Sequence, residues 1–210
     1  MVVSGVILSV LLLYSTLRFG MLYKEFKSQK VLMFAFSLLA YSISSFYWVI
    51  NFTELSLNDK LLIDNILDWI QVVGVSFLLC GLAIENWEDR PAVARFPYVL
   101  VYAPILLIIT YAFVFDTLFL KEVIIAIYEG GAILIALLLF GLLAAKNTDY
   151  LYVLVGLILM LLAFVVYLFP SEVIESNEWV WKLIVIISVY TLQKGYRFAT
   201  SRALKERLTD

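Results

Sequence analysis

The chain has 210 residues, of which 64% are hydrophobic and 15% charged, and its mean hydropathy is +0.99. Soluble domains run roughly 45–50% apolar, so this composition excludes an ordinary soluble globule and points to an all-α, polytopic membrane protein. The net charge of −2 carries little weight, because the charges cluster outside the apolar runs, and no nucleic-acid partner is expected. Histidine is absent and Cys80 is the single cysteine. That removes the commonest general base, the commonest metal ligand and any internal disulfide.

Seven apolar runs fill nearly the whole chain. The first, Val2 to Tyr23, lacks a basic leader and a small-residue cleavage site, and reads as a retained helix. The second is Val31 to Asn51, with Ser37, Tyr41, Ser44 and Trp48 at helical spacing. The third, Ile63 to Ile84, carries a polar stripe of Asp64, Asp68, Gln71, Gly74 and Gly81, continued by Glu85. The fourth, Pro97 to Phe115, starts on a proline and holds Pro104 inside, which predicts a kink. The fifth, Val123 to Ala145, contains Glu129 on a small-residue face with Ala126, Ala132 and Ala136. The sixth, Tyr150 to Phe169, is almost wholly apolar, and the seventh, Trp179 to Tyr196, bears Lys182 near its start. Each run meets the need for about 20 helical residues across a core of about 30 Å. The runs are continuous rather than alternating, which argues against strands.

Short loops make consecutive helices antiparallel neighbours in one bundle over residues 1–196, followed by a basic tail over 197–210. The segments from Gly5 (GVILSVLLLYSTL) and Gly131 (GAILIALLLFGLL) echo one another. A three-plus-one-plus-three repeat would produce such an echo, but so does a shared Leu- and Ile-rich composition, which is the preferred reading. Basic residues set the orientation. One side holds twelve, among them Lys24, Lys27, Lys30, Arg90, Arg95, Lys146 and the tail residues, and the other only Lys60, Lys121 and Lys182. The N-terminus is therefore expected outside and the C-terminus in the cytoplasm, in the cell membrane.

Ionisable groups inside a membrane cost about 2.5–3.5 kcal/mol each on the insertion scale, so they face protein or water. Glu129, Asp64, Asp68, Gln71, Lys182, Ser44 and Trp48 all fall in the predicted outer part of their helices. They are the candidate ligand-binding residues: a polar, aromatic cup open to the outside, with Lys182 the expected partner of Glu129. Interhelical hydrogen bonding alone would use the same residues. Neither HExxH nor GxSxG nor a Cys/His cluster occurs, so no enzyme, metal site or cofactor is expected. Lys182 lies too close to a helix end for a mid-helix retinal Schiff base.

The stretch Lys30 to Asn51 (KVLMFAFSLLAYSISSFYWVIN), then Asp68-Trp69-Ile70-Gln71-Val72-Val73-Gly74, Ala83-Ile84-Glu85-Asn86-Trp87 and Tyr98 to Pro104, resembles the seven-helix membrane sensor region found before histidine kinases and related output domains. The likeness covers residues 15–110 and the layout of the rest. It implies an integral membrane sensor. The family's output domain has no counterpart after Tyr196, so it further implies a module signalling through a separate cytoplasmic or membrane partner; the outward polar cup adds a small molecule from outside as the expected ligand. The resemblance carries over no functional residue. The alternatives are a small solute or ion transporter, which needs polar surface on both sides, and an accessory subunit of a membrane complex.

Overall fold

The structure, a computed structural model, describes residues 2–46, 57–89, 97–113, 118–168 and 179–209. Among these are seven α-helices and no strand: α1 Val2–Phe26, α2 Gln29–Ser44, α3 Leu57–Asp89, α4 Pro97–Phe113, α5 Leu118–Lys146, α6 Leu151–Leu168 and α7 Trp179–Thr209. They correspond one for one to the seven apolar runs. Four helical segments are long and apolar enough to cross a membrane: Gly5–Phe26, Leu62–Ile84, Leu120–Lys146 and Thr148–Leu168. Two shorter apolar helices are Gln29–Ser44 and Tyr102–Phe113. These are the properties of a helical membrane protein. The chain divides into two compact units, Met1–Ala132 and Ile133–Asp210, with the boundary inside α5.

The buried core is mainly apolar, but many large apolar side chains are also exposed. Large apolar side chains such as Leu138 (72% exposed) and Ile127 (65%) point outward, whereas Ser9 and Ser188 are fully buried. Lipid is as apolar as leucine, so helices associate through close packing and hydrogen bonds rather than through hydrophobic exclusion. Small and polar residues therefore form the seams.

In the first unit α1 ends with Lys27 in the left-handed region, φ 53°. Its N–H donates to the Tyr23 carbonyl at 2.7 Å, a left-handed cap that reverses the chain directly into α2. The α1–α2 seam is a serine ladder. Ser9 Oγ lies 2.7 Å from Ser45 Oγ, and Ser42 Oγ donates to the Ser9 carbonyl at 3.1 Å. Helices α2 and α3 run antiparallel, as Tyr41 lies beside Gly74 while Phe34 lies beside Gly81. A Cβ at Gly74 would stand 3.1 Å from the Ala40 Cβ, so glycine lets α2 approach there. The Phe36 and Phe77 rings lie 5.3 Å apart between these two contacts. Helix α4 begins on Pro97, where a missing N–H costs nothing, and stays helical through Pro104. Its Tyr111 ring meets Trp69 of α3 edge-on at 4.9 Å.

In the second unit α5 and α6 are joined by a 3-10 turn, Thr148–Tyr150, with the Asn147 side chain accepting from the Asp149 N–H at 2.9 Å. The α6–α7 seam is the tightest contact in this unit. Ser188 Oγ donates to the Gly156 carbonyl at 2.8 Å. A Cβ at Gly156 would lie 2.9 Å from the Leu192 nitrogen, and one at Gly195 2.7 Å from the Val153 nitrogen. These pairs run in opposite directions, so α6 and α7 are antiparallel. The Phe140 ring of α5 packs edge-on against Tyr196 of α7 at 6.4 Å. Helix α7 continues past Tyr196 through the basic tail to Thr209.

The backbone contacts at Gly195 leave no flexible side chain to yield. Gly195→Ala should therefore cost about 1–3 kcal/mol, as overpacking does. Gly131→Ala, with open space at its Cβ, should change stability by no more than about 1 kcal/mol. Thermal unfolding in detergent checks both, and equal midpoints for the two variants would rule out the close seam.

Candidate functional site

Three elements of the first unit bring polar groups together around Glu129. Both Gln71 and Glu129 lie nine residues from the start of their apolar segments, Leu62 and Leu120. At 1.5 Å per residue that is about 14 Å into each helix. Helices α3 and α5 run parallel here, because Lys121 lies near Asp68 and Glu129 meets Gln71. Glu129 Oε1 accepts two hydrogen bonds, one from the Tyr41 hydroxyl and one from Gln71 Nε2, each at 2.8 Å. Tyr41 reaches this point from α2, which Gly74 allows to sit close to α3. One carboxyl oxygen thus ties three helices together.

The sequence explains why these residues meet. Asp64, Asp68 and Gln71 are spaced four and three apart and share one face of α3. The opposite face of that helix carries Ile66, Trp69 and Val73, all partly exposed. With Phe36, Leu39 and Ile43 of α2, they line an open apolar groove of about 440 Å³. Polar residues turn inward and apolar ones turn outward.

A second cluster lies about one turn nearer the start of α3. The Asp68 carboxyl faces the Tyr111 hydroxyl and lies within electrostatic reach of Lys121, Asp64 and Glu122. The Lys121 ammonium sits 5.4 Å from the Tyr111 ring centroid, within cation–π range. Tyr111 is only 1% exposed. Its hydroxyl faces Asp68 in a geometry that falls short of a hydrogen bond and finds no other partner among the described residues. The Asp64 Oδ1 atom is likewise buried and unpartnered. Leaving such a group unpaired costs about 1–3 kcal/mol.

Of the sequence-predicted site residues, Glu129 and Gln71 are in direct contact, and Asp64 and Asp68 form the second cluster on the same stripe. Ser44 is spent on its own helix, donating to the Tyr41 carbonyl at 3.1 Å. Trp48 lies outside the described residues. Lys182 belongs to the second unit, where its ammonium is 5.3 Å from the Trp181 ring centroid; the partners the structure gives Glu129 are Tyr41 and Gln71. Tyr41, Tyr111 and Lys121 are the contributors the sequence reading left out of the site. Tyr41 was legible, since it falls on the same polar stripe as Ser44. Tyr111 and Lys121 were not, because their roles depend on how α4 and α5 pack on α3.

Below Gln71 the first unit closes. Val72, Val75, Leu79 and Leu82 are buried, and the Ser76 hydroxyl donates to its own helix at Val72. Beyond Gln71 the side chains of α3 buried in the first unit are therefore mainly apolar. Among the described residues no group of three His, Cys, Asp or Glu side chains could hold a metal ion. Comparison with protein-family models, curated proteins and solved structures gave no match to this chain.

Glu129→Gln keeps an oxygen that can accept from both Tyr41 and Gln71, so its stability should stay within about 1 kcal/mol of the wild type, the net worth of one ordinary hydrogen bond. Glu129→Leu strands both donors and should cost about 2–4 kcal/mol, at about 1–3 kcal/mol per unsatisfied group. Unfolding midpoints in mixed micelles give the comparison. Equal losses in the two variants would mean that the hydrogen bonds do not form.

Proposed function

We propose that this chain is an integral membrane sensor of seven spans, N-terminus outside and C-terminus in the cytoplasm, in which a small molecule entering from outside acts on the Glu129 network and a separate partner reads the result. The observation that supports it is the joining of α2, α3 and α5 at one carboxyl oxygen. An ionisable residue within the membrane is expensive and marks a functional site by default. Here any group that competes for Glu129 Oε1 must loosen Tyr41 or Gln71, and with them the contact of α5 with two other helices. Helix α5 continues unbroken from Glu129 through Gly130 and Gly131 to Lys146. That is 17 residues, or about 25 Å of rise, enough to carry a small tilt to the expected cytoplasmic end. Small shifts of packed helices are a common form of switching.

The orientation rests on the twelve-to-three distribution of basic residues, and the membrane-spanning role of α2, α4 and α7 on their apolar runs. The almost wholly apolar fifth run beyond Glu129 and sixth run support a receptor over a transporter, which needs polar surface leading to both sides. The resemblance of α2 and α3 to histidine-kinase sensor regions points the same way.

A fluorophore on Lys146→Cys should change emission between the wild-type and Glu129→Gln backgrounds in proteoliposomes, while neither protein moves sodium, potassium or methylammonium down a gradient. Saturable flux of any of these ions, abolished by Glu129→Gln, would replace the sensor reading with a transporter. Unchanged emission would remove the proposed coupling along α5.

A further inference from the structure

The second cluster carries more than the sensor reading uses. Its two buried polar atoms, the Tyr111 hydroxyl and Asp64 Oδ1, lack partners among the described residues. Buried polar groups in native proteins are paired, and an orphan calls for a bound water, ion or ligand. Tyr111 is 1% exposed, so bulk solvent does not serve it. Among the described residues that act electrostatically on Asp68, Asp64 and Glu122 are negative and Lys121 is positive. The surplus is negative, and the occupant it favours is a cation.

We infer that the corner between α3, α4 and the first turns of α5, holding Asp64, Asp68 and Tyr111, binds the primary ammonium group of a small amine. A primary ammonium offers three N–H donors, and the corner offers three acceptors: Asp64 Oδ1, the Asp68 carboxylate and the Tyr111 hydroxyl. On binding, the Tyr111 hydroxyl accepts from the ammonium and is free to donate to Asp68. The metal alternative lacks its ligands, since the described residues contain no group of three metal-binding side chains. That the ring accepts an ammonium is already visible, because the Lys121 ammonium lies 5.4 Å over the Tyr111 ring. Lys121 is the resident cation of this site, and an incoming amine competes with it.

Competition gives the mechanism a direction. An amine that displaces Lys121 frees the start of α5, three turns from Glu129 on the same helix. The inference thus deepens the sensor reading by naming its ligand class. The two fail separately, because the sensor reading turns on flux and on the signal along α5, whereas the amine site turns on binding alone.

The test uses the full chain in nanodiscs at constant ionic strength, titrated with ethylammonium, with tetramethylammonium as a cation lacking N–H donors. Ethylammonium should raise the unfolding midpoint saturably, and Lys121→Ala should bind it at least tenfold more tightly than the wild type. Tetramethylammonium should give no saturable shift. Asp68→Asn in the Lys121→Ala background should abolish the ethylammonium response. Equal shifts from the two cations, or a response that survives Asp68→Asn, would overturn the inference. If Lys121→Ala does not fold, the wild type and Tyr111→Phe decide: ethylammonium must bind the wild type saturably and Tyr111→Phe at least tenfold more weakly, and anything else overturns it.

Discussion

A carboxyl group set about 14 Å into a helix that crosses hydrocarbon must find donors in protein, and Glu129 finds two on a single oxygen. Each of them constrains a different helix. Tyr41 can reach only because α2 lies against α3 at Gly74, and Gln71 can reach only because α3 turns its polar stripe inward. The hydrogen bonds therefore fix the rotation of α2, α3 and α5 about their own axes. Lipid gives little help in setting such rotations, since any apolar face suits it equally. Once the stripe faces inward, Asp68 and Asp64 follow onto the same side. Tyr111 and Lys121 then close over them, and Ile66, Trp69 and Val73 are left on the outside.

The seams elsewhere obey the same logic with cheaper groups. Ser9, Ser42 and Ser45 between α1 and α2 bond hydroxyl to hydroxyl and hydroxyl to carbonyl. Ser188 does so across α6 and α7, where Gly156 and Gly195 bring backbone against backbone. These bonds join neutral groups, and Ser9, Ser42 and Ser188 are buried in the seams they hold together. The α3 stripe differs in combining ionisable groups with, at Tyr111 and Asp64, buried atoms that have no partner among the described residues.

Much of this was readable from the chain alone. The seven runs became seven helices, because a continuous apolar stretch of that length has few other options in a membrane. The inward stripe on α3 and the partly buried placement of Glu129 follow from helical spacing and from the cost of charge in lipid. What the sequence could not supply was which polar group meets which. Lys182 looked like the partner of Glu129 because opposite charges at similar depth attract. The structure shows two neutral donors on Glu129 Oε1, the Tyr41 hydroxyl and Gln71 Nε2, and Lys182 lies in the other unit. Tyr111 and Lys121 could not be assigned to Asp68 because spacing within one helix says nothing of the neighbour's rotation. Ser44 shows the same limit from the other side: it falls on the stripe, yet its hydroxyl bonds its own backbone.

The direct test of this account is a double-mutant cycle between Gln71→Leu and Glu129→Leu, read as unfolding free energy in a fixed lipid–detergent mixture. If the two side chains are hydrogen-bonded partners that fix α3 against α5, removing both should cost less than the sum of the single losses by about 1–3 kcal/mol. Losses that add within about 0.5 kcal/mol, the range expected of independent sites, would show that Gln71 does not hold Glu129, and the rotation of α3 would need another cause.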